Sequence, residues 1–336
     1  MRMRPRAALA LLAALALCAG ARAAVVAPAD VAPPSALAAP PACPPEPPVP
    51  TQAEAMQGLR DAVDNGLLWK ATKDGRTAWL YGTIHVAQRA WMYPGPNVLR
   101  AALASDTFAL ELDVSDPAVL ARLKAAIERQ PDAPGLPPAL EARLRAQMAA
   151  ACIAPETLAA LRPEMRAVTV EVMEGRRFGL YPAYGIDTFV AGLARGLERP
   201  IRSLETPESQ AQLLVSDDPT ETAAAVAQVV ADLEGGQGPA LLQRLAGDWQ
   251  RGDLGDLAAY ASWCGCMDTP QQRADFARLV DARNPLMADK IVQWHAEGRS
   301  LFVAVGTLHM IGAAGLPALL RERGFAVERV AFAAGR

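Results

Sequence analysis

Three histidines occur in this 336-residue chain, and two of them close the same four-residue phrase. Gly82-Thr83-Ile84-His85 ends an apolar run near the start of the globular part, and Gly306-Thr307-Leu308-His309 ends another near its finish. A glycine turn lets backbone approach a ligand closely, and neutral imidazole is a preferred donor to divalent transition metals. Two such turns brought together predict half of a metal site. Carboxylates can supply the rest. Glu111 interrupts the apolar stretch 107–112, where a charge is costly unless it is paired or liganded. Glu205 follows the apolar-rich segment 200–204. Two imidazoles with one or two carboxylates suit a first-row divalent ion that keeps open positions for water. Such an ion lowers the pKa of bound water and polarises a carbonyl, while a free carboxylate handles the proton.

Four further residues stand near these. Tyr184 could orient a substrate carbonyl or simply pack, and Asp187 could cap the helix that follows it. Arg283 could bind a carboxylate or a developing oxyanion, and Asn284, before Pro285, lies near a helix start. His295, inside an expected helix over 285–297, reads as an ordinary structural residue. The chain has no H-E-x-x-H, G-x-S-x-G or Walker loop, and no G-x-G-x-x-G after a strand.

The elements that must position these groups alternate in type. Residues 67–72 and 77–81 flank Lys73-Asp74-Gly75-Arg76, which predicts a β-hairpin whose second strand enters the first histidine turn. A short helix over 97–104 and an apolar strand over 107–112 follow. The end of the chain repeats that order, with a strand over 301–305, the second phrase, a helix over 316–323 stopped by Gly324, and a strand over 325–332. A third unit runs from Tyr184-Gly185-Ile186-Asp187 through a helix to about Leu197 and a strand over 200–204. The stretches 117–175 and 207–297 show the 3.6-residue apolar spacing of amphipathic helices. The expected fold is therefore α/β, with pseudo-symmetric duplicated strand–turn–helix–strand units, sheets covered by helices and a mostly helical insertion. His85, Glu111, Glu205 and His309 all fall at or just beyond strand ends, where such sheets bind ligands.

Residues 1–23 read as a secretory signal. Arg2, Arg4 and Arg6 precede the apolar stretch 7–17, and Ala21-Arg22-Ala23 offers cleavage before Ala24. Lipidation at Cys18 is disfavoured by the large Leu17. Ten prolines in residues 27–50 predict a disordered, partly polyproline tether over 24–50, leaving 51–336 as the α/β domain. No later run is long and apolar enough to span a membrane. The expected location is the periplasm or the exterior. A net charge of −3 and the lack of a Lys/Arg cluster outside the signal argue against nucleic acid as a partner. Cleavage would leave Cys43, Cys152, Cys264 and Cys266, which permit three pairings. A bond between the Cys264/Cys266 pair and Cys152 is expected, with Cys43 unpaired in the tether. A metal or redox reading of Cys264-Gly265-Cys266 lacks the second pair that zinc spacing needs.

From about Leu67 to Phe332 the chain resembles the TraB/GumN family, related to the TIKI proteases. The resemblance rests on residues 79–85, the strand bearing Glu111, residues 184–187, and Leu204-Glu205-Thr206 with Gln210. It continues through Arg283-Asn284 and residues 303–309 to Gly312 and Gly315-Leu316. It implies a fold of two pseudo-symmetric halves and a metal-dependent hydrolase, a peptidase supported by manganese or cobalt, with zinc or iron as other candidates. It carries His85 and His309 over as motif histidines and Glu111 as their acidic partner. Glu205, Tyr184, Asp187 and Arg283 follow as supporting or substrate-facing groups. A peptide or protein is then the expected substrate. The competing expectation is an envelope protein that binds a metal, haem or peptide without turnover; an assembly role in envelope polysaccharide rests on the family's naming alone.

Overall fold

The computed structural model describes residues 43–332. The expected signal, Cys18 and most of the tether lie outside the described residues.

Six strands form one mixed sheet: β1 (Leu67–Lys73), β2 (Arg76–Thr83), β3 (Thr107–Leu110), β4 (Ile201–Ser203), β5 (Leu301–Gly306) and β6 (Ala326–Arg329). Their order across the sheet is β4-β3-β5-β2-β1-β6. The β1–β2 hairpin turns at Asp74 and Gly75, both at positive φ (49° and 74°), the backbone that Asp-Gly supplies in a two-residue hairpin turn. β2 pairs in parallel with β5, β5 with β3, and β3 with β4, whereas β1 runs antiparallel to both β2 and β6. Only β1 therefore points against the other five.

Side chains on the central strands alternate between two cores. Leu301, Val303 and Val305 join Ala78 and Leu80 on one face, under the helices Asn284–Ala296 and Leu316–Glu322. Phe302 and Ala304 join Tyr81 on the other, under the helices Pro96–Leu103 and Ile186–Gly196. The crossover from β2 to β3 travels one way along the sheet and that from β5 to β6 the other. Right-handed connections in opposite directions must place their helices on opposite faces, as these are. The duplicated units are thus related about the β2–β5 seam, and β1, inserted between β2 and β6, breaks the symmetry. Helices Pro138–Ala150, Pro163–Glu174 and Pro219–Glu234 build a separate core around Leu144, Met148, Val170 and Val230.

Two expectations change. Cys43 is bonded to Cys152, and Cys264 to Cys266, so the tether cysteine is paired and the Cys264/Cys266 pair closes on itself. Residues 43–50 fold back along the molecule and bring Cys43 to the end of the 138–150 helix, a proximity that spacing along the chain does not encode. The β3 strand also stops at Leu110, leaving Glu111 just past its end. His295 is buried with its ring edge-on to Phe325 at 4.8 Å, and among the described residues its Nε2 has no hydrogen-bond partner.

Candidate functional site

The four parallel strands β2, β5, β3 and β4 end on one edge, and each is followed within three residues by a group singled out from sequence. His85 follows β2, Glu111 follows β3, Glu205 follows β4 and His309 follows β5. The two phrases lie side by side because β2 and β5 are paired in register, Gly82 opposite Val305 and Thr83 opposite Gly306. Gly82 is required by that approach: a Cβ there would lie 2.7 Å from Thr307 Oγ1. Its carbonyl accepts from Trp249 Nε1 at 2.7 Å, which fixes the turn from the far side.

His309 sits in a short turn of 3-10 helix, 3 % exposed. Its Nδ1 is 2.6 Å from Asn284 Oδ1, while Asn284 Nδ2 donates to the Ala314 carbonyl at 2.9 Å. The amide nitrogen being committed, Asn284 must present oxygen, so His309 Nδ1 carries the proton and Nε2 keeps a bare lone pair. That lone pair faces Glu111 Oε1 at 3.9 Å. Burial, together with the nearby Arg283 and His85, pushes the His309 pKa down to about 4, against the pull of Glu111. The ring is neutral at pH 7.

For His85 the neighbour at Nδ1 is a carboxylate. That nitrogen lies 3.1 Å from Asp187 Oδ2 without the alignment of a hydrogen bond, and among the described residues neither Nδ1 nor Nε2 has a hydrogen-bond partner. Burial opposes the charged ring, but Asp187 and then Glu111 outweigh it and hold the pKa above the ordinary value. Asp187 therefore does not cap its helix, whose N-cap is Gly185. A Cβ at Gly185 would meet the His85 carbonyl at 2.6 Å, so this glycine lets the loop close on the histidine. His85 feels the charges of Glu111 and Arg283, and Glu111 those of both histidines and Arg283, which places His85, Glu111, Arg283 and His309 in one electrostatic cluster.

Arg283 holds the two glutamates. Its Nη2 donates to Glu111 Oε2 at 2.6 Å and to Glu205 Oε2, Nε to Glu205 Oε1 at 2.9 Å, and Nη1 to the Leu279 carbonyl at 3.0 Å. Four of five guanidinium N–H groups are committed. Gln210 Nε2 donates to Glu111 Oε2 at 3.1 Å and Glu205 Oε2 at 2.9 Å, and the Gly306 N–H donates to Glu111 Oε1 at 2.8 Å. Burial alone would raise the Glu111 pKa. Arg283, the two histidines and the Gly306 N–H reverse this and hold it at about 2.

The structure thus gathers His85, Asp187, Glu111, Glu205, Arg283, Asn284 and His309. Tyr184, three residues before Asp187, turns its hydroxyl elsewhere, donating to the Pro48 carbonyl at 2.7 Å. Gln210 entered the sequence reading only as part of a phrase, and Trp249 gave no signal there; both act across long stretches of chain. Among the described residues, no three His, Cys, Asp or Glu side chains are arranged as a ready ligand set for a metal ion. The donor chemistry nevertheless fits one. His309 has Nδ1 engaged by a side-chain oxygen and a bare Nε2, the pattern of metal-ligating histidine; His85 Nδ1 lies near the Asp187 carboxylate, and the ionised Glu111 acts on both rings. Thr83 Oγ1 and Thr307 Oγ1 are also buried, without hydrogen-bond partners among the described residues.

No helix among the described residues is long and apolar enough to cross a membrane. No curated protein and no solved structure matches the chain. The TraB/PrgY/gumN family matches over residues 67–329, a span that contains all six strands and every residue of the cluster, and the chain belongs to that family.

Proposed function

We propose that this protein is an exported metal-dependent hydrolase acting on peptides. The observation that carries the reading is two buried histidines gathered around one ionised glutamate: His309 has Nδ1 held by Asn284 and Nε2 3.9 Å from Glu111 Oε1, and His85 has Nδ1 3.1 Å from Asp187 Oδ2 and lies within reach of the Glu111 charge. The two Nε2 atoms and Glu111 Oε1 would hold a divalent cation, manganese or cobalt by family resemblance, with zinc or iron as further candidates. Bound there, such an ion would activate water and polarise an amide carbonyl.

The chain's own residues do the rest. Asn284 and Asp187 fix the imidazoles. Arg283, braced by Glu205 and Gln210, keeps Glu111 ionised. Glu205 is a positioning residue in this arrangement, since its carboxylate is taken up by Arg283 and Gln210. Two disulfides support an oxidising compartment, the periplasm or the exterior.

Metal content of purified wild type and of His85→Ala/His309→Ala, measured after loading with manganese, tests the reading. Near-stoichiometric metal in wild type and its loss in the double variant are expected; equal content in both would sink the proposal. Capture of a peptide without turnover is the second reading, favoured by the commitment of Glu111 and Glu205 to Arg283. Manganese-dependent cleavage of a peptide library that disappears in Glu111→Ala would exclude it.

A further inference from the structure

Residues 43–50 form neither helix nor strand, yet their placement is regular. Pro44, Pro47 and Pro50 are half-buried, while Cys43, Pro45, Glu46, Pro48 and Val49 are exposed. A burial period of three is that of a polyproline II helix lying on a surface with one edge down. The surface beneath is a pair of tyrosines. Tyr181 donates its hydroxyl to the Pro45 carbonyl at 3.1 Å, and Tyr184 donates to the Pro48 carbonyl at 2.7 Å. The two accepting carbonyls are again three residues apart, one turn of that helix. The rings stand edge to face with centroids 5.7 Å apart, and both side chains are otherwise buried. Polyproline II backbone has no internal hydrogen bonds, so its carbonyls are open to aromatic hydroxyls spaced at its period.

The segment is pinned at both ends. Cys43 is bonded to Cys152, and Thr51 caps the helix Gln52–Asp61. The tyrosines also belong to the loop that carries the site. Tyr181 exchanges backbone hydrogen bonds with Ala87, and the Ile186 N–H donates to the Ile84 carbonyl. Asp187, three residues beyond Tyr184, meets His85. A peptide lying along this ledge therefore runs beside the His85 turn.

We propose that Tyr181 and Tyr184 form a subsite for extended, proline-rich peptide backbone, and that residues 44–50 occupy it in cis as a built-in blocker held by the Cys43–Cys152 bond. Binding at the ledge stands on this geometry; only the fate of a bound peptide rests on the hydrolase reading. A tethered segment competes at an effective concentration in the millimolar range, so the ledge is closed to free peptide while the strap is down.

The test uses the full chain and a fluorescein-labelled peptide with the sequence of residues 44–50, followed by anisotropy. Wild type with its disulfides intact is compared with a strap-weakened variant, Cys43→Ser/Pro44→Gly/Pro47→Gly. At least tenfold tighter binding to the weakened variant is expected. In that background Tyr184→Phe should weaken binding about threefold to tenfold, the effect of one lost hydrogen bond. A peptide with alanine in place of every proline should bind at least tenfold less tightly. Phenylalanine keeps ring and packing, and a thermal melt matching the parent shows that the variant is folded. Equal affinity for wild type and the weakened variant, no binding to either, or indifference to both Tyr181→Phe and Tyr184→Phe would each overturn the subsite. Ledge-dependent binding without cleavage would support the subsite and count against the hydrolase; cleavage without ledge-dependent binding would do the reverse.

Discussion

Each imidazole of the cluster depends on the residue behind it. Asn284 decides which nitrogen of His309 is free, because its own amide nitrogen is spent on the Ala314 carbonyl. Asn284→Ala leaves the ring free to rotate and to change tautomer. Loss of such an outer partner costs about 10–100-fold in metal affinity. Titration of wild type and variant with manganese should show that loss, and equal affinities would remove Asn284 from the site. Arg283 has a different weight. It lies 7 % exposed between Glu111 and Glu205, and among the described residues no other guanidinium or ammonium group donates to either carboxylate. Arg283→Met would leave two buried carboxyl groups facing each other, and breaking a buried pair by removing one partner costs about 3–5 kcal/mol. Urea unfolding at pH 7 measures it; a loss below about 1 kcal/mol would show that the two carboxyls are held from elsewhere.

At the scale of elements, the duplicated phrase works because β2 and β5 are neighbours. Gly82 stands where the turns touch, and Gly82→Ala forces a Cβ to 2.7 Å from Thr307 Oγ1. Overpacking of this kind costs roughly 1–3 kcal/mol, and the shift it forces would separate the two histidine turns. A lowered melting temperature together with reduced manganese binding is expected, whereas a stable variant with normal binding would show that the turns can move apart freely. The strands, the Asp-Gly hairpin and the phrase itself were legible because period, turn chemistry and repetition are local. Glu111 was legible for a related reason: a charge in an apolar run needs a partner, and the partner proved to be Arg283. Other features were closed to that kind of reading. Gln210 lies 99 residues from Glu111, and Trp249 lies 167 from Gly82, so their contacts exist only after the sheet is assembled. Asp187 looked like a cap because acidic residues near helix starts commonly are; a contact to His85, 102 positions away, takes its carboxylate instead. The Cys43–Cys152 bond spans 109 residues and depends on the course of the strap.

Across the whole molecule, the sheet and the helical insertion differ in how their buried charges are compensated. The sheet's glutamates are answered by Arg283. In the insertion, Glu171 on the helix Pro163–Glu174 feels the charge of Asp232 on the helix Pro219–Glu234, and among the described residues Oε2 of the one and Oδ2 of the other have no hydrogen-bond partner. Glu171 is also tightly enclosed: a Cβ at Gly238, on the helix Gln237–Arg251, would come within 2.6 Å of its Oε1. Burial, and then the charge of Asp232, push the Glu171 pKa up to about 8 from 4.5, and burial pushes Asp232 up to about 6. The folded chain keeps a proton on Glu171 that the unfolded chain loses near pH 4.5, so folding between those values takes up a proton. Stability must then fall as pH rises through that window, the reverse of the behaviour of a salt-bridged carboxylate. Asp232 adds to the fall over the lower part of the window. Glu171→Gln keeps the shape of the protonated side chain and cannot ionise. At pH 5 it should match wild type, and at pH 8 it should be the more stable, by on the order of 3 kcal/mol. Thermal melts of both proteins from pH 5 to pH 8 decide it: the wild-type melting temperature should fall by several degrees more than that of the variant. Parallel curves would mean that Glu171 is ionised at neutral pH and is compensated within the insertion.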